Sequence, residues 1–213
     1  MQRSAATVVC VTGERAARSV VGMATTNVRV CAPPAERDAL ERARLATQAA
    51  ASAHVPYFVH DADPLELVAE SWVRLFDAEG PIGELEVAAA ETIARWRNQT
   101  LELPDYYLVT DTDAMTPTRR HWYFGVLHAA APSRVVPVRN GPTALVAALE
   151  ELQPTRWWPP LAELLDGIER RAPDTIDTTP ATAPELTRTD DEPRDDWLTS
   201  SRAPRRDGGP AER

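Results

Sequence analysis

Lysine is missing from all 213 residues, so each of the 23 basic side chains is an arginine. That absence removes the phosphate-gripping lysine of a P-loop, the Schiff-base lysine of an internal aldimine and the strand lysine of a protein kinase. Cysteine is nearly absent too. Cys10 and Cys31 each sit in a short β-branched run, the pattern of small buried apolar residues rather than of a disulfide or a thiolate zinc site. The nine glycines include no Gly-x-Gly-x-x-Gly step, and Gly13 after the first apolar run stands alone. No Gly-x-Ser-x-Gly step is present, which removes the serine-hydrolase elbow. The four histidines have no i, i+4 pairing on an expected helix. No apolar run approaches the eighteen or so residues of a transmembrane helix, and the run after Met1 is too short for a secretory core. A cytoplasmic chain is the expectation.

A net charge of −9 argues against a general binder of nucleic acid or anionic membrane, since both need a positive field over the contact face. The apolar fraction of 43% is enough for a buried core. Composition changes near Arg171. Residues 172 to 213 carry six prolines, ten acids and six arginines, but only Ile176, Leu186, Trp197 and Leu198 as large apolar residues. So little apolar surface does not offset the entropy of ordering the segment. The expected organisation is therefore a globular domain over 1–171 and a disordered acidic tail over 172–213. Within the tail, Asp190 to Leu198 places an aromatic-aliphatic pair in an acidic setting, the form of a short docking motif.

Ahead of the tail, strands and amphipathic helices alternate. Thr7–Thr12, Asn27–Ala32, Val55–His60 and Asp105–Thr110 read as strands. Arg15–Ala24 fits a short helix or a strand. An alanine-rich helix is expected from Pro34 to Ala53, with Asp38 and Arg42 as an i, i+4 pair. Leu65, Val68, Ala69, Trp72, Leu75 and Phe76 form one wide stripe, and Leu85, Ala89, Ile93 and Trp96 another. Aromatic density over His121–Ala129 favours a strand, followed by one at Arg134–Val138; a helix over 121–131 would instead make a β-α-β unit. Helices starting at Pro142 and at Leu161 close the domain. The fold class is α/β bordering on α+β, with a central mixed sheet of about five to six strands covered by amphipathic helices.

The sharpest chemical pattern is a pair of Asp-x-Asp steps, Asp61-Ala62-Asp63 and Asp111-Thr112-Asp113, each directly after an apolar strand. Carboxylates at strand ends are placed to hold Mg²⁺ or Mn²⁺, with Asp61, Asp111 and Asp113 as the candidate ligands. Asp63-Pro64-Leu65-Glu66 also has the form of a helix start, with Asp63 as N-cap. A second feature is the acid-free stretch from Ala114 to Leu149. It holds Arg119, Arg120, Arg134 and Arg139 beside Trp122, Tyr123 and Phe124, the residue types of an anion or single-strand platform. Ordinary core packing with flanking surface arginines is the favoured reading, because at least one face of the element must go inside. Trp157 and Trp158 cannot both face one way; one is expected in the core and the other as an interaction anchor.

Two functions lead, ahead of a weaker third, sequence-tolerant nucleic-acid binding through the acid-free segment with Arg119 and Arg120. The leading expectation is a non-catalytic cytoplasmic accessory protein, needing no cofactor, whose acidic tail recruits a protein partner through Trp197 and Leu198, with Trp157 and Trp158 as further docking residues. The alternative is a divalent-metal-dependent enzyme acting on a phosphorylated or nucleotide substrate through the Asp-x-Asp steps.

Overall fold

The computed structural model describes residues 4–23, 25–77, 80–153 and 157–173. These fall in one compact unit. Trp197 and Leu198 lie outside the described residues, as does the whole acidic motif around them.

Five strands form one sheet: β1 (Thr7–Thr12), β2 (Val28–Cys31), β3 (Tyr57–His60), β4 (Tyr106–Val109) and β5 (Val135–Pro137). Their order is β2-β3-β1-β4-β5, and every named pair is parallel. The expected α/β class and helical cover are therefore present, but the sheet is parallel rather than mixed. The reason is the connections. Each strand is followed by helix before the next begins, and such crossovers return the chain to the same end of the sheet. Between β1 and β2 lies α1 (Ala16–Val21), which resolves the open helix-or-strand choice there, and α2 (Ala39–Ala51) leads to β3. Helices α3 (Glu66–Phe76) and α4 (Ile82–Arg97) lead to β4.

The region 121–131 corrects the strand expected there. It is helical as far as Ala130, as α5 (Pro117–His121), a π-helical turn (Trp122–Leu127) and α6 (His128–Ala130). Aromatic β-propensity loses because a parallel β4–β5 pair requires a crossover, and this is the chain that makes it. Helices α7 (Pro142–Glu150) and α8 (Leu161–Leu164) complete the unit. No described helix is long and apolar enough to cross a membrane.

Strand alternation divides the core in two. Cys10, Tyr107, Val109 and Val135 face α3, the π-helical turn and α8, around the fully buried Trp72 and Trp122. Val9, Val11, Tyr106 and Leu108 face the other way, onto Val20 of α1 and Leu145 and Leu149 of α7. With both faces covered, β1 and β4 read as continuous apolar runs.

Candidate functional site

From β1 the chain crosses to β2 and returns through β3 on one side, then passes to β4 and β5 on the other. In open parallel sheets the crevice outside the carboxyl ends, where crossovers diverge, is where ligands collect. A cleft of about 460 Å³ lies there. The loop after β1 contributes Thr12, Gly13 and Glu14, and α2 contributes Arg42. Asp61, Asp63 and Glu66 come from the β3–α3 segment, and Met115, Arg119 and Tyr123 from beyond β4. A smaller polar hollow of about 270 Å³ shares Arg42, Asp61, Asp63 and Glu66.

Arg42 arrives at this cleft because its expected partner is engaged elsewhere. Helix α2 starts at Ala39 rather than at Pro34, with Asp38 as N-cap accepting from the Glu41 amide at 2.8 Å. Arg42 Nη2 instead donates to Asp61 Oδ2 at 3.0 Å, and the Asp61 side chain is only 4% exposed. The pair is incompletely satisfied. Asp61 Oδ1 and Arg42 Nε are shielded from solvent without a hydrogen-bond partner, and so is Thr12 Oγ1. Burial raises the Asp61 carboxyl above its ordinary range, with Arg42 pulling the other way.

Asp63 is buried beside it. Its Oδ1 accepts from the Leu65 amide at 2.8 Å and from the Tyr107 hydroxyl at 2.9 Å, while Oδ2 accepts from Tyr123 at 3.1 Å. Helix α3 begins only at Glu66, so Asp63 organises the turn ahead of the helix instead of occupying the cap. Glu66 Oε2 accepts from Arg119 Nη2 at 2.5 Å, and Arg119 also donates to the Tyr123 hydroxyl at 3.2 Å. Burial, reinforced by the nearby Glu66 charge, pushes Asp63 up to about 6. The opposite shift occurs one strand residue away from this segment. Burial lowers His60 to about 4, keeping the imidazole neutral at pH 7.

The second Asp-x-Asp step serves a different junction. Asp111, in the left-handed region at φ 54°, accepts from the Arg15 amide and guanidinium at 3.2 and 2.6 Å and from Asn140 Nδ2 at 3.0 and 3.1 Å. It thereby joins the loops after β1, β4 and β5, and aspartate tolerates that backbone conformation better than most residues. Asp113 is exposed. Because β1 lies between β3 and β4, the strands carrying Asp61 and Asp111 are roughly 10 Å apart. The structure does not bring the three candidate metal ligands together, and each of Asp61 and Asp111 holds its own arginine. Among the described residues no group of three or more His, Cys, Asp and Glu side chains is arranged to hold a metal ion.

The four candidate anion-binding arginines are also divided. Arg119 lines the cleft, and Arg120 Nε donates to the Thr112 carbonyl at 3.0 Å. Arg134 precedes β5 and so lies at the amino edge, donating to the Asp105 carbonyl at 2.6 Å and packing 4.4 Å over the Trp157 ring. Arg139 follows β5 at the carboxyl side. Trp122 and Tyr123 are in the core, so no stacking platform forms there. Trp158 is buried, its indole donating to the Pro104 carbonyl at 2.8 Å, whereas Trp157 is 39% exposed. Both line a second cleft of about 330 Å³ with Trp96, at the amino edge.

Sequence pattern marked neither Thr12 nor Tyr107, and it gave Arg42 and Tyr123 other roles than a place beside Asp61 and Asp63. Arg42 is explained by a helical pair with Asp38, and the tyrosines by strand or core propensity. The one available signal was that Asp61 and Thr12 each close an apolar strand. No family model matches the chain, and comparison with curated proteins and with solved structures finds no match either.

Proposed function

We propose that this chain is a ligand-responsive accessory protein. Its α/β domain takes a small polar molecule of the nucleoside or sugar class in the carboxyl-edge cleft, and its acidic tail recruits a protein partner through Trp197 and Leu198. One observation carries the ligand-binding half: the cleft gathers polar and charged side chains, among them Thr12, Arg42, Asp61, Glu66 and Arg119, from both sides of the central strand. The position of the cleft, where the crossovers separate, supports the same reading. The tail half rests on the sequence of residues 190–198. The two free cysteines, Cys10 and Cys31, suit a reducing, cytoplasmic setting.

A second reading is favoured by Asp63, a carboxyl held at about 6 on the wall of the cleft, where general acid-base work at neutral pH is efficient. It makes the domain an enzyme using Mg²⁺ or Mn²⁺ on a phosphorylated or nucleotide substrate. An ion at Asp61 then competes with Arg42 for the carboxylate.

Thermal unfolding of the full chain separates the two. The panel is nucleosides, nucleoside mono- and triphosphates and monosaccharides, each with and without Mg²⁺. The first reading predicts a midpoint raised by a metal-free ligand and lost in Asp61→Asn. A rise that requires the metal favours the enzyme. No rise with any member overturns both.

A further inference from the structure

We infer that the tryptophan-lined cleft at the amino edge of the sheet is a docking trough for a proline-rich segment of a partner protein, one carrying arginine or lysine beside its prolines. This is independent of the ligand proposed for the carboxyl edge. The cleft, of about 330 Å³, brings together Val8 of β1, Trp96 of α4, Leu103 ahead of β4, and Trp157 and Pro160 ahead of α8. Trp157 is 39% exposed and Pro160 is exposed too, so the cleft is an open trough rather than a closed chamber. Arg134, itself 5% exposed, lies 4.4 Å from the Trp157 ring centroid and covers one face of that ring. The exposed area therefore belongs to the opposite face. Most polar groups of the trough are engaged. The Ser4 hydroxyl donates to the Ala50 carbonyl at 2.8 Å, the Trp158 indole to the Pro104 carbonyl at 2.8 Å, and Asp105 Oδ2 accepts from the Val8 amide at 2.7 Å. The Trp96 indole N–H differs: it makes no hydrogen bond among the described residues and is not shielded from solvent.

The complement to this wall is an apolar surface that carries backbone acceptors and few donors. An added strand needs a free sheet edge, and β1 and β4 are each paired on both sides. A helix has its carbonyls committed to its own hydrogen bonds and offers no backbone acceptor to the Trp96 N–H. A polyproline segment fits. Its carbonyls are unpaired, its proline nitrogens carry no hydrogen that burial would strand, and its rings pack flat on indoles. Aromatic-lined grooves take such segments at low entropic cost because the conformation is already formed. Charge supplies the second half of the assignment. The ionisable side chains lining the trough are Glu102 and Asp105, both acidic, and the whole chain carries −9. A basic residue beside the prolines is therefore attracted and an acidic one repelled.

Fluorescence anisotropy of labelled peptides, titrated with the full-length chain, tests this. The probes are a run of prolines flanked by arginines, the same peptide with alanine for every proline, and the same peptide with glutamate for every arginine. The arginine-flanked proline peptide is expected to bind saturably and the alanine peptide at least about tenfold more weakly. The glutamate peptide is expected to bind more weakly too, by a margin that shrinks as salt is raised. Trp157→Ala removes an exposed ring, and Trp96→Phe removes the N–H while keeping a ring; each is expected to weaken binding at least about tenfold with thermal unfolding unchanged. If Trp96→Phe fails to fold, Trp157→Ala alone decides. Equal binding of the proline and alanine peptides, binding indifferent to Trp157→Ala, or no binding by any peptide overturns the assignment. So does a sedimenting dimer of the chain alone that is lost in Trp157→Ala, since a second copy would then be the occupant.

Discussion

Tyr107 donates its phenolic hydrogen to Asp63 Oδ1 across 2.9 Å, joining the middle of β4 to the turn that starts α3. The contact ties the central sheet to the best-defined amphipathic helix of the chain and leaves a carboxylate buried on the wall of the cleft. Burial then acts on the ionised form, and two hydroxyl donors and the Leu65 amide recover only part of the lost hydration.

The first prediction concerns Asp63. Its folded value of about 6 lies above the ordinary 3.8, so the folded chain holds this proton more tightly than the unfolded chain does. Stability from this group is therefore greatest at low pH and falls as pH rises from about 4 to about 6, by roughly 3 kcal/mol. Asp63→Asn removes that slope. Urea unfolding from pH 4.5 to 7.5 should show the variant gaining on the parent as pH rises and levelling off above about 6.5. A difference that stays constant with pH contradicts the assignment.

His60 predicts the opposite slope. Its folded value is about 4 against an ordinary 6.5, so between those limits the unfolded chain takes up a proton that the folded chain refuses. Stability from this group rises with pH across that window, again by roughly 3 kcal/mol, and is lost on acidification. In His60→Leu the variant should lose ground to the parent as pH rises from 4.5 to 6.5. Because the two windows overlap, the parent shows a flatter profile than either variant. Parallel profiles for parent and both variants contradict this account.

Much of the architecture was legible because its signals are local. The stripe from Leu65 to Phe76 is helix α3, and the runs at Thr7–Thr12 and Tyr106–Val109 are buried strands. What failed was non-local. Trp122, Tyr123 and Phe124 have strand propensity, but the β4–β5 crossover imposes helix on them. The site was half visible: Asp61 was marked by its place after a strand, with a metal as the imagined partner, and Asp63 as the cap of the following helix. Arg42, Thr12, Tyr107 and Tyr123 reach them from four other elements. Such convergence depends on strand order, which hydrophobic periodicity does not encode.

Gly13 supplies a third prediction. It has φ +133°, and a Cβ there would lie 2.7 Å from the Thr110 carbonyl oxygen as well as against the Thr110 side chain. The Thr110 amide and hydroxyl both donate to the Thr12 carbonyl, at 2.8 and 2.9 Å, so β4 has no freedom to retreat. Gly13→Ala should cost about 2–4 kcal/mol, through backbone strain together with the clash. Urea denaturation measures it. A cost below about 0.5 kcal/mol would mean that the β1 loop accommodates the side chain, contrary to the packing described.

The central claim is that ligand enters at the carboxyl edge, and amide chemical-shift mapping during titration with the nucleoside and sugar probes locates it. The account predicts saturable shifts concentrated at Thr12, Gly13, Asp61, Ala62 and Met115, with Trp96 and Trp157 undisturbed. Shifts confined to the tryptophan-lined cleft at the opposite edge, or no saturable shift at all, would contradict it.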